Sequence, residues 1–245
     1  MSNFNYETKI LITFASLSTL LSMYYILPFL SVILGFLFVI LIKPKNTTGT
    51  KLLLAFSGAF LLALTVFELL PEVYHHSDSK NIGLFIMGGI LLQIFLEFFS
   101  KGAEHGHVHL HSHAKTFPWM LFISLSIHSF LEGMPIHRHD HLLIGIIVHN
   151  IPISIILSVF FLKSQYPIKT ISLFMVLFSL MTPLGSFASQ QLPFLSNYYM
   201  ETLGIVIGIF LHVSTTILFE SSEGHKFNLA KILVVIFAAL LAYLL

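Results

Sequence analysis

Apolar residues run along this chain in long blocks, and polar or charged residues are confined to the short gaps between them. An α-helix needs about 20 consecutive apolar residues to cross the roughly 30 Å of hydrocarbon in a bilayer. Blocks of that kind lie at 24–42, 52–71, 82–100, 117–136, 142–162, 168–188, 199–219 and 227–245, which predicts eight spanning helices. Turn and charge signals separate them: Lys43-Pro44-Lys45-Asn46, Ser77-Asp78-Ser79-Lys80-Asn81, the stretch 101–115, His137 to His141, Gln165-Tyr166-Pro167, 190–197 and 221–228. No gap has room for a soluble domain. The expected fold is therefore all-α, a single transmembrane domain over 1–245. The run at 8–27 could extend the first span past Pro28, form an extra short helix or be a signal-like extension; a long first helix kinked at Pro28 is the form expected.

Composition agrees with lipid as the solvent. The chain is 56% hydrophobic and 9% charged, whereas a water-soluble domain carries about a quarter charged residues to cover its surface. The net charge of +1 and the scattered basic residues leave no surface for nucleic acid. Cysteine is absent, so disulfides, thiolate ligands and cysteine catalysis are excluded together. The 12 lysines and arginines also orient the helices. With the amino terminus outside, one side carries Lys43, Lys45, Lys51, Lys101, Lys115, Lys163, Lys169, Lys226 and Lys231, and the other Lys9, Lys80 and Arg138. The positive-inside rule then puts both termini on the non-cytoplasmic face and the 101–115 loop in the cytoplasm. The membrane expected is the cytoplasmic (inner) membrane of a bacterium.

Against this apolar background the intramembrane polar residues stand out. The fourth block contains His128 and Glu132, four residues apart and so on one helix face. A carboxylate at a helix centre costs about 2.5–3.5 kcal/mol to insert, so Glu132 must face protein, water or a cation. The fifth block contains His149, Asn150 and Pro152. The short His137 to His141 hairpin makes the two helices antiparallel neighbours. His128 lies 11 residues before its midpoint at 139 and His149 lies 10 after it, so the two imidazoles share nearly one depth. Two imidazoles and a carboxylate suit Zn(II), Fe(II), Mn(II) or Cd(II). A fourth ligand could come from Asn150, Ser129, water or the Val148 carbonyl, which Pro152 leaves without its helical donor. The alternative is a private His128–Glu132 hydrogen bond, with His149 paired to a carbonyl.

The segments H-S-F-L-E-G at 128–133 and H-N-I-P at 149–152 resemble the fourth- and fifth-helix signatures of the ZIP (Zrt/Irt-like protein) metal transporters. The resemblance covers about 24–245, including L-L-P-E at 69–72 and a histidine-rich loop after the third span. It implies an eight-helix bundle of the ZIP type, a permease that moves a divalent ion, zinc or iron(II) first, into the cytoplasm. It also implies that His128, Glu132 and His149 are transport-site ligands, and that Ser129 and Asn150 occupy positions that contribute to an adjacent second site in binuclear members. The pattern departs at Ile153, where members usually carry glutamate, at Thr182, where some carry glutamate, and at Glu68, where many carry histidine. One principal metal, weakly held, is the expectation, with Glu68 as an accessory ligand.

Other histidines are peripheral. His105, His107, His109, His111 and His113 form a tract suited to fluxional chelation, a cytosolic metal buffer or a plain solvated linker. His75, His76, Asp78, His137, His139, Asp140 and His141 could collect cations at the outer mouth. His212, with Glu220, Glu223 and His225 beyond it, suggests an accessory polar trail or an ordinary interhelical hydrogen bond. Gly83, Gly88, Gly89, Gly204 and Gly208 are expected to let helices pack closely. A membrane metalloenzyme is the rival class, but neither H-E-x-x-H nor H-x-x-H-H boxes occur, so no enzyme is expected. A metal sensor that binds without moving ions stays open. The expected partners are the metal ion, the bilayer and a second copy of the chain, with no prosthetic group.

Overall fold

The computed structural model describes residues 4–44, 47–100, 117–164, 166–220 and 229–245, with the backbone alone at 4–22, 47–48, 79 and 220. All regular structure among the described residues is helical. The order is α1 (Phe4–Ile42), α2 (Thr47–Leu64), a π-helical turn (Thr65–Leu69), α3 (Leu70–His76), α4 (Ser79–Ser100), α5 (Trp119–Gly133), a short 3₁₀ turn (Ile136–Arg138), α6 (Asp140–Lys163), α7 (Ile168–Ser179), α8 (Met181–Gln191), α9 (Pro193–Asn197), α10 (Tyr199–Glu220) and α11 (Leu229–Tyr243). The chain is an all-α polytopic membrane protein. Among the described residues, seven stretches are long and apolar enough to span a bilayer: Met23–Ile42, Gly49–His76, Lys80–Ser100, Trp119–Arg138, Asp140–Lys163, Ile168–Gln191 and Tyr199–Phe219. The eighth expected span corresponds to α11, an apolar helix of 15 residues.

Prolines account for most of the irregularities. α1 runs unbroken through Pro28, so 8–27 continues the first helix. Pro71 cannot donate to the carbonyl four residues earlier, and the helix before it loosens into a π turn in which the Leu70 N–H reaches back to the Thr65 carbonyl. Pro183 likewise leaves the Ser179 carbonyl without its helical donor in the sixth span. The helix is interrupted at Leu180, so the block read as one helix from 168 to 188 is two, α7 and α8.

The helices sort into two groups by contact. α2, α4, α10 and α11 pack on one another, as do α1, α5, α6, α7 and α8, and the groups meet where α2 touches α6 and α4 touches α5. Glycine allows the tightest of these crossings. A Cβ on Gly208 would stand 2.0 Å from the Ile86 carbonyl oxygen, so α10 and α4 approach backbone to backbone. Gly133 of α5 and Gly185 of α8 do the same, their added Cβ atoms falling 2.1 Å from the Thr182 oxygen and 1.9 Å from the Phe130 oxygen. Gly89 and Gly204 are also close-packed, but Gly83 and Gly88 face open space and serve no contact among the described residues.

The outer surface is apolar, with Leu84, Met87, Leu91, Phe95 and Phe98 of α4 exposed. Buried polar side chains, among them Ser57, Gln93, Ser124, Ser154 and Ser158, gather inside. That distribution suits hydrocarbon as the surroundings, where exposed apolar side chains carry no penalty.

Candidate metal centre

α5 and α6 supply the cluster anticipated from spacing. His128 and Glu132 lie one turn apart on α5, with His128 Nε2 3.5 Å from Glu132 Oε2. His149 enters from α6, its ring centroid 6.2 Å from that of His128. One ligand atom from each of the three lies within 4.8 Å of the others, and all three side chains are buried. Ligands at roughly 2.0–2.2 Å from a tetrahedral ion stand about 3.4 Å apart. The His128–Glu132 pair is already at that spacing, and His149 needs to close by no more than about 1.5 Å.

Each of the three is held by a side chain from a different helix. Gln93 of α4 presents Oε1 3.0 Å from His128 Nδ1. Ser57 of α2 places its hydroxyl 3.2 Å from His149 Nδ1. Thr182 of α8 donates its hydroxyl to Glu132 Oε1 at 3.1 Å, a contact that follows from the glycine-lined crossing of α5 and α8. The Nδ1 edges of both imidazoles are thus engaged by protein, and His128 turns its Nε2 toward Glu132. Glu132 Oε2 accepts no hydrogen bond among the described residues. A buried carboxylate oxygen in that state is an acceptor in need of a cation.

Ser129 is buried one turn before Glu132, and Asn150 is buried beside His149 with its Nδ2 unpaired among the described residues. Ile153 is buried one turn beyond His149.

The other two accessory candidates, Glu68 and His212, pair with other side chains. Glu68, on the π turn, contacts His141 Nδ1 at 2.7 Å. His212 of α10 contacts Glu97 of α4 at 2.6 Å through Nε2.

The mouth histidines are largely engaged as well. His139 Nε2 lies 2.8 Å from Glu72, Tyr24 donates to Asp140 at 2.6 Å, and Arg138 sits 4.1 Å over the Tyr199 ring. His137 Nδ1 lies 3.2 Å from both the Met134 carbonyl oxygen and the Ser189 hydroxyl. Asp78 caps α4 by accepting the Asn81 N–H, and His76 Nδ1 contacts the Glu72 carbonyl oxygen at 3.0 Å. His105, His107, His109, His111, His113, Glu223, His225 and the Glu220 side chain lie outside the described residues.

Sequence reasoning missed Ser57, Gln93 and Glu97. Gln93 and Glu97 carried a usable signal, a polar pair at i, i+4 inside an apolar block, of the same kind as His128 and Glu132. Ser57 carried none.

Fold and centre together define a class: a polytopic helical membrane protein with a buried two-histidine, one-carboxylate cluster between adjacent helices. No protein-family model matches the chain. Among curated proteins, it is 36% identical over 88 residues to a protein named Zinc transporter ZIP1 from Danio rerio, covering 34% of this chain and 29% of that one. It is 33% identical over the same length, with the same coverage, to Zinc transporter ZIP1 from Takifugu rubripes. The matched segment thus spans under a third of each relative's length. Over that segment, the chain is similar to these two ZIP-named zinc transporters.

Proposed function

We propose that this protein is a permease for a divalent transition-metal ion, zinc before iron(II), Mn(II) or Cd(II), and that the ion crosses by way of His128, Glu132 and His149. The observation that carries the reading is the convergence of those three buried side chains within 4.8 Å between two helices. A carboxylate and two imidazoles in an apolar bundle are costly to keep there without a cation to bind. The relatives' names make zinc the leading cargo and transport, not catalysis, the activity. With three protein ligands and a replaceable fourth, the ion is held loosely enough to leave again.

The resemblance to ZIP transporters gives the direction, into the cytoplasm, and the absence of any nucleotide-binding motif makes facilitated diffusion the mode. The lysine and arginine distribution puts both termini and the α5–α6 hairpin on the non-cytoplasmic face of a cytoplasmic membrane. We read 1–245 as one transmembrane domain able to pair with a second copy, and 104–113 as a cytosolic chelating tract. Ser129 and Asn150 are proposed as transient ligands beside the main three, with Glu68 and His212 as contacts on the way in and out.

The test is zinc entry into proteoliposomes that enclose a fluorescent chelator. Purified protein should accelerate the signal in a saturable way, and Glu132→Ala protein should match protein-free vesicles. Tight zinc binding with no acceleration would make the protein a sensor.

A further inference from the structure

We infer that Gln93 is a positioning residue that fixes His128 in the Nδ1–H tautomer and thereby keeps its Nε2 lone pair facing Glu132; this rests on the metal reading of the cluster. Gln93 is fully buried in α4, and its Oε1 lies 3.0 Å from His128 Nδ1. A carbonyl oxygen only accepts, so the hydrogen on that edge belongs to the imidazole. A neutral imidazole with Nδ1 protonated has its lone pair on Nε2, the atom 3.5 Å from Glu132 Oε2.

The Ser57 contact at His149 imposes no such choice. The Ser57 hydroxyl, 3.2 Å from Nδ1, donates or accepts as required. The Gln93 contact therefore sets the His128 imidazole before metal arrives, whereas the Ser57 contact sets no tautomer at His149.

The chemistry of the setting group matters too. A carboxylate in the place of Gln93 would make the imidazole a stronger ligand, as in carboxylate–histidine–zinc arrangements, whereas a neutral amide orients the ring without adding charge. Gln93 also belongs to the α2–α4–α10–α11 group, while His128 belongs to the other. The orientation of His128 is thus supplied across the boundary between the two groups, and relative movement there would remove it.

The inference predicts opposite effects from two substitutions. In full-length protein in nanodiscs, with zinc alone as the probe, Gln93→Leu should weaken zinc binding about 10–100-fold, the usual cost of losing an outer-shell partner. Gln93→Glu should tighten it and slow zinc release. Nitrogen-15 spectra of histidine-labelled protein, with the His128 signals identified by their loss in His128→Ala, should show protonated Nδ1 and bare Nε2 before metal is added. That pattern should weaken in Gln93→Leu.

A wild-type His128 protonated at Nε2 would overturn the inference, as would an unchanged zinc affinity in Gln93→Leu or equal weakening in both variants. If His128→Ala itself binds zinc as tightly as wild type, the metal reading fails. If His128→Ala loses zinc and Gln93→Leu does not, only the role of Gln93 fails.

Discussion

At the scale of single residues, the buried carboxylate of Glu132 is the costliest feature of the protein, and its two oxygens are treated differently. Oε1 takes a hydrogen bond from Thr182, while Oε2 points to His128. Replacing His128, Glu132 or His149 with alanine should reduce zinc affinity by more than the ~10–100-fold that loss of an outer-shell partner costs. Insertion should survive, because removing a charge from a helix centre lowers the insertion penalty. Zinc titration alongside quantified membrane expression separates the two effects. The converse substitution, Ile153→Glu, adds a carboxylate one turn from His149 on the same face. Zinc affinity should rise and flux at saturating zinc should fall, read as Kd and as maximal rate in the same vesicles.

At the scale of helices, the α5–α8 crossing couples packing to the centre. Gly133 and Gly185 admit the backbone contact that sets Thr182 against Glu132. Gly185→Val would drive its side chain into the Phe130 carbonyl, and overpacking of this kind costs about 1–3 kcal/mol. The variant should melt at lower temperature and bind zinc more weakly, while Gly88→Val, in open space, should change neither. A different segment, 104–113, is proposed to chelate metal apart from the centre. Deleting 104–113 should leave saturating zinc flux intact, and loss of flux would show that the tract belongs to the path.

At the scale of the whole molecule, two groups of helices meet at α2–α6 and α4–α5, and the candidate centre sits on that boundary. If the ion is passed by movement between the groups, tying them together should stop it. Ser124 of α5 donates to the Leu96 carbonyl of α4 at 2.5 Å, so the two positions are neighbours. In this cysteine-free chain, Leu96→Cys with Ser124→Cys and a short thiol cross-linker should block zinc flux until the cross-link is cleaved. Flux that survives complete cross-linking would rule out movement at this interface.

What the sequence alone determined was local. The apolar blocks marked where the helices lie, the four-residue spacing placed His128 and Glu132 on one face, and the short hairpin brought His149 to their depth. These relations depend only on the rise and turn of a helix and the length of one connection, which hold whatever the rest of the chain does. The roles of Ser57, Gln93 and Thr182, the pairing of Glu68 with His141 and of His212 with Glu97, and the idle Gly83 and Gly88 were decided by tertiary structure. Each depends on the rotation of one helix against another distant in sequence. In lipid both faces of a span are apolar, so hydrophobic patterning, which orients helices in water, does not say which face turns inward. Close backbone contacts at a few glycines and hydrogen bonds between buried polar side chains make that choice, and they exist only once the helices have packed.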